Sequence, residues 1–159
     1  MAVSGRFALL ILAGAVPVLI EPTRRTVLLW VLLCLALAVV DALLAASPRK
    51  LIVTREPLGA IRLGERAQST LLVTNPTRRT LRGQLRDAWQ PSAGAADDRH
   101  PVRIPAGERR RFVTTLRPTR RGDRPADRVT VRAFGPMRLG ARQRSLEVAG
   151  SIRALPPFE

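Results

Sequence analysis

Tyrosine is absent from the 159 residues, histidine and cysteine occur once each, and Lys50 is the one lysine. Each scarcity excludes something. With His100 alone, no pair of histidines can hold a metal and no histidine relay can carry protons. With Cys34 alone, no disulfide can form within the chain, which is compatible with a cytoplasmic domain. Cys34 lies in an apolar run, where a small hydrophobe in a lipid-facing helix needs no special role. Aromatic residues are 4% of the chain, too few for the stacking platforms of single-strand nucleic-acid binders, so nucleic acid is an unlikely partner despite a pI near 11.9. The near-exclusive use of Arg is compositional and is not read as guanidinium chemistry.

What is present is divided unevenly. Only Arg6, Arg24, Arg25, Glu21 and Asp41 are charged before Ser47, which leaves 24 basic and 10 acidic residues beyond it. The region after the apolar segments therefore carries a formal +14. Its first reading is a soluble surface; its functional reading is attraction to anionic headgroups, at about 1 kcal/mol per cation near a membrane surface.

Residues 7–20, opening on Phe7, read FALLILAGAVPVLI, and residues 26–46, containing Trp30, read TVLLWVLLCLALAVVDALLAA. The second approaches the ~20 residues needed to cross a hydrocarbon core. The first is shorter, but a second apolar run follows it at once across EPTRR, so a helical hairpin is expected rather than a signal peptide. Pro17 is tolerable in such a span, and Gly14, Ala15, Ala36 and Ala38 would let the helices approach closely. Arg6, Arg49, Lys50 and Arg55 outnumber Arg24 and Arg25 of the turn, which places the rest of the chain in the cytoplasm beneath a plasma membrane crossed twice. Asp41 is the one charge in the second run; it is expected to reach water at the headgroups or to pair with Arg49 or Lys50.

From Leu51 the apolar period becomes two. Strands are expected near residues 51–54, 69–74, 81–89, 102–104, 111–117, 129–133, 146–148 and 152–155, with turns at Asn75-Pro76, residues 105–108 and Arg121-Gly122-Asp123. The expected fold is all-β: an immunoglobulin-like antiparallel sandwich over residues 48–159, preceded by a transmembrane hairpin over residues 1–47. Trp89, Phe112 and Phe134 are its expected large core members. No catalytic constellation is evident. Ser92 has no base beyond distant His100, Asp97-Asp98 lacks the spaced ligands of a calcium loop, and Asn75-Pro76-Thr77 fails the glycosylation pattern because its middle residue is proline. Neither an enzyme nor a cofactor is expected.

Several stretches resemble, in order, the membrane family termed domain of unknown function 58. Val53-Thr54-Arg55-Glu56-Pro57 with Arg62-Leu63-Gly64-Glu65 is similar to its first strand and turn, and Leu72-Val73-Thr74-Asn75-Pro76 to its strand end. Leu85-Arg86-Asp87-Ala88-Trp89-Gln90-Pro91-Ser92 resembles its RDAW-P segment. Arg117-Pro118-Thr119-Arg120-Arg121-Gly122 and Gly135-Pro136-Met137-Arg138-Leu139-Gly140 resemble its P-x-R-R-G and GPLGL elements. The family continues into a von Willebrand A-like domain where this sequence stops, so the chain is expected to be an N-terminal fragment lacking that domain. The resemblance implies a non-catalytic scaffold or adaptor, partner of a MoxR-type AAA ATPase. Contact is expected through Arg78, Arg79, Asp97, Asp98, Arg120 and Arg121. The alternative is a stand-alone basic β domain that binds anionic lipid or envelope polymer.

Overall fold

The computed structural model describes residues 2–3 and 5–156, the first two by their backbone alone. After a two-residue strand β1 (Ala2–Val3), the chain forms α1 (Gly5–Ala13), α2 (Ala15–Ile20) and α3 (Arg24–Leu44). The first apolar run is thus two helices, interrupted at Gly14. The cause is Pro17, which has no N–H for the Ala13 carbonyl and crowds the turn before it. Gly14 N–H instead reaches the Ile11 carbonyl at 3.0 Å.

Thr23 starts α3 by accepting the Thr26 N–H on its side-chain oxygen at 3.2 Å. Arg24 and Arg25 therefore belong to the helix, and the turn is shorter than EPTRR. The helix ends at Leu44, earlier than residue 46, because Ala45 is extended. This helix with the following turn (Arg24–Lys50) is long and apolar enough to cross a membrane. Gly14 lies against the Trp30 indole, in the space a Cβ would need, so the small residue permits the close helix approach. Cys34 is buried, not lipid-facing: it lies four residues beyond Trp30, on the same face of α3.

The remainder is two facing sheets. The strands are β2 (Ile52–Arg55), β3 (Ala60–Arg62), β4 (Ala67–Thr74), β5 (Leu81–Trp89), β6 (Ala95–Ala96), β7 (Arg99–Ile104), β8 (Arg109–Leu116), β9 (Gly122–Phe134), β10 (Gly140–Leu146) and β11 (Ser151–Leu155). One sheet runs β2-β4-β8-β6; the other joins β1, β10, β9, β11 and β3, with β5 between β9 and β7. All pairings are antiparallel except β11 with β3, a departure from the wholly antiparallel expectation. Strand β9 is long enough to serve both β10 and β11, its second half pairing with one and its first with the other.

Period-two alternation drives one face of each sheet inward. Leu71 and Val73 of β4 meet Leu81 and Leu85 of β5, Val102 and Ile104 of β7, and Val129, Val131 and Ala133 of β9 in one core. Fully burying each Leu or Val contributes roughly 1.5–3 kcal/mol. A second cluster gathers Trp89, Ala93, Leu116 and Ile152. Phe112 packs against the main core from its margin. Phe134 is not a core member: it is half-buried and shares the outward register of Thr130 and Arg132. Ala46 and Leu51 also enter the core, so the link from helix to sandwich is packed into the domain it introduces.

Candidate functional site

Asp41 dominates the meeting of helix and sandwich. Its side chain is fully buried, and its carboxylate accepts three backbone N–H bonds from the β9–β10 turn: Met137 at 2.8 Å, Leu139 at 2.7 Å and Gly140 at 3.1 Å. It therefore neither reaches water nor pairs with Arg49 or Lys50. A carboxylate that gathers several N–H groups recovers the hydration it loses on burial. The turn lies so close that a Cβ at Gly140 would sit 2.6 Å from the Ala38 carbonyl, and one at Gly135 would overlap Asp41 itself. The GPMRLG segment is thus the surface on which α3 is seated.

A second tie closes the helix end. Arg79 donates through Nη1 to the carbonyls of Leu43 at 3.0 Å and Leu44 at 3.1 Å, satisfying acceptors that a helix C-terminus leaves free. Arg79 is held in place by Asn75, which is fully buried. The Asn75 amide donates to the carbonyls of Arg79 at 2.9 Å and Ile104 at 3.0 Å, and its oxygen accepts from the Thr77 N–H at 3.2 Å. The Asn-Pro turn signal was visible in sequence; that its side chain knits two loops together was not. Arg144 adds a further tie by donating to the Arg49 carbonyl.

Deeper in the sandwich, Arg55 and Asp87 form an ion pair sealed from solvent, at 1% and 0% exposure. The guanidinium lies 4.7 Å over the Trp89 ring and also donates to Ser69. Trp89 Nε1 donates to Asp87 at 3.1 Å, while Arg55 Nε has no partner. This cluster joins β2, β4 and β5 and is closed to ligands.

The six residues expected to form an interaction surface fall in three separate places. Arg78 and Arg79 stand beside the helix end, where Arg78 is exposed and Arg79 is a helix cap. Asp98 pairs with Arg86 at 2.9 Å, beside exposed Asp97 on the β6–β7 connection. Arg120 and Arg121 lie in the exposed β8–β9 turn, their carbonyls accepting from Arg124. Phe7 and Trp30 lie on the apolar helices, Trp30 against Gly14. His100 Nε2 sits 3.2 Å from the Thr114 hydroxyl. Among the described residues no group of three or more His, Cys, Asp or Glu gathers in metal-binding geometry.

The outward face of β7, β5 and β9 was not anticipated as a unit. Arg82 stands opposite Arg103, and Arg86 opposite Arg99, with Arg132 on the adjoining strand bonded to Gln143 at 2.8 Å. Directly opposed like charges cost stability in a sheet. The clue available was the Arg-out alternation of residues 81–89, but the partner strand was needed to see the pairing.

No family model matches this sequence, and no curated protein matches it. Among solved structures, a non-cellulosomal cohesin from the hyperthermophilic archaeon Archaeoglobus fulgidus is similar over 67% of this chain and 91% of its own, at 13% identity and a TM-score of 0.40.

Proposed function

We propose that this chain is a non-catalytic, membrane-anchored adaptor. Its helical hairpin crosses the plasma membrane twice, and its immunoglobulin-like sandwich is held at fixed height and angle on the cytoplasmic side, where it serves a MoxR-type AAA ATPase. The observation that carries this reading is the buried Asp41 seat, because a flexibly tethered domain needs no hydrogen-bonded socket on its anchor. The helices themselves leave large apolar side chains open along their length, among them Leu9, Leu12, Leu19, Leu28 and Leu43, which fits a lipid surrounding. By rise per residue α3 is about 31 Å long, of which about 21 Å precede its seat on the sandwich at Ala38, and the broken first pair is about 24 Å. The pairing of β1 with β10 supports two crossings, since it brings the chain start to the sandwich side.

The test has two parts. Carbonate extraction of membranes should retain the full chain, and a cysteine placed at Ser92 in a Cys34→Ser background should be labelled only after the cytoplasmic side is opened. Labelling from outside would reverse the orientation. Crosslinking the same cysteine in cells should then recover a MoxR-type ATPase; failure to recover one leaves an anchored domain with a different partner.

A further inference from the structure

Where the chain leaves α3, an open pocket of about 420 Å³ lies between the helix end, the β4–β5 loop and β10. Its apolar lining is Ala45, Ala46 and Pro76, and around these stand Lys50, Arg78, Arg79 and Arg142 with the hydroxyl residues Ser47 and Thr77. A second hollow of about 240 Å³ shares Ser47 and Arg142 and adds Arg49. Five cations thus face the two hollows, and among the described residues no Asp or Glu lines either one.

Unbalanced positive charge of this density is unfavourable without a counter-ion. The rim is also preformed. Asn75 fixes Thr77 and Arg79 through its amide bonds, and Arg144 secures the Arg49 backbone. Exposed Leu43 and Leu44 immediately precede Ala45 and Ala46 of the lining, where the apolar helix ends. The lining therefore suits a compact anionic group. The other arginine cluster, on the outer sheet face, is partly partnered, Arg86 by Asp98 and Arg132 by Gln143, and it adjoins the second hollow through Gln143.

We propose that this pocket binds the headgroup phosphate of an anionic phospholipid in the leaflet on the sandwich side, with the rim cations and the Ser47 hydroxyl on the phosphate oxygens and the acyl chains against Leu43 and Leu44. The inference rests on the membrane reading above. Basic pockets at helix ends recognise anionic headgroups through the sum of modest charge contributions, so removing three cations should have a large and local effect.

The experiment is native mass spectrometry of the full chain in detergent, with phosphatidylglycerol and phosphatidylcholine as probes. The wild type should retain phosphatidylglycerol in clear preference. Lys50→Gln/Arg78→Gln/Arg142→Gln should reduce its retention at least about tenfold, whereas Arg66→Gln/Arg120→Gln/Arg121→Gln, with the same loss of charge at exposed positions by the other end of the sandwich, should change it less than about twofold. Arg79 is left intact because it caps α3. Equal losses in the two triple variants, or equal retention of both lipids by the wild type, would overturn the pocket. So would equally tight binding of inorganic phosphate or of polyglutamate, which would assign it to a soluble anion or an acidic protein. Carbonate extraction separates the two readings: release of the wild type refutes the anchor, whereas retention with unselective lipid binding refutes the pocket alone.

Discussion

Arg55 and Asp87, contributed by strands of opposite sheets, meet in a two-pronged ion pair of 2.7 and 3.0 Å with neither side chain open to solvent. Such a pair is costly to break and cheap to replace, because removing one partner strands the other in a medium that cannot solvate it. Asp87→Ala should destabilise the sandwich by about 3–5 kcal/mol. The double variant Arg55→Met/Asp87→Leu should recover most of that loss. Urea unfolding followed by tryptophan emission measures both, and a double variant as unstable as the single one would refute the argument.

Asp41→Asn keeps the size of the side chain but turns an amide group toward backbone donors. Of the three N–H groups now bonded, those of Leu139 and Gly140 share one oxygen, and the amide can serve only one side of the turn. At about 1–3 kcal/mol for each buried donor left unpaired, hydrogen exchange at residues 137–140 should accelerate at least tenfold. Retention in the membrane should be unchanged. Unaltered exchange would show that the carboxylate does not hold the turn.

Much of this architecture could be read from the residues, and the parts that could not share a physical cause. Strand β5 matches its expected bounds, because Leu81, Gly83, Leu85 and Trp89 keep the inward period and turns flank it. Strands β3 and β6 are three and two residues long, too short for a period to declare itself. Asp87 looked like a break in its pattern, yet it occupies an inward position, as Arg55 does in β2. Two opposite charges at inward positions were a usable signal of a buried pair. Asp41 left no such trace: its partners are backbone groups of a distant turn, and backbone donors have no sequence signature. Phe134 was misplaced because side-chain size was weighed above register.

The glycines of the β9–β10 turn yield a steric prediction. Gly140→Ala must push the Ala38 carbonyl or the turn itself aside, at an overpacking cost of about 1–3 kcal/mol. Gly59→Ala, with nothing within 4 Å of its added Cβ, should stay within about 0.5 kcal/mol of wild type. Thermal unfolding of the two variants side by side checks this, and equal midpoints would contradict the close seating of α3.

Gly14 and Cys34 connect through Trp30. Gly14→Val forces the indole out of its place against the first helix, loosening the contact beneath which Cys34 is shielded. In detergent, alkylation of Cys34 by a small maleimide should be slow in the wild type and about tenfold faster in the variant. Equal rates would mean that something other than the helix pairing protects the thiol.

The pairing of Ala2 with Ala141 and of Val3 with Gly140 has a consequence for the order of assembly. Strand β1 precedes both apolar helices and its partner β10 follows most of the sandwich, so the entire hairpin lies between them in the chain. Closure of the β1 edge therefore waits on synthesis of β10, by which time both apolar helices have been made, and β11 joins the same sheet later still. Local pairs such as β9 with β10 close a short loop and can form early, while the β1 edge must be joined across the longest separation the chain offers. On the proposed membrane reading, insertion of both helices would act as a template, holding the two sheet edges within reach of one another before β1 joins β10.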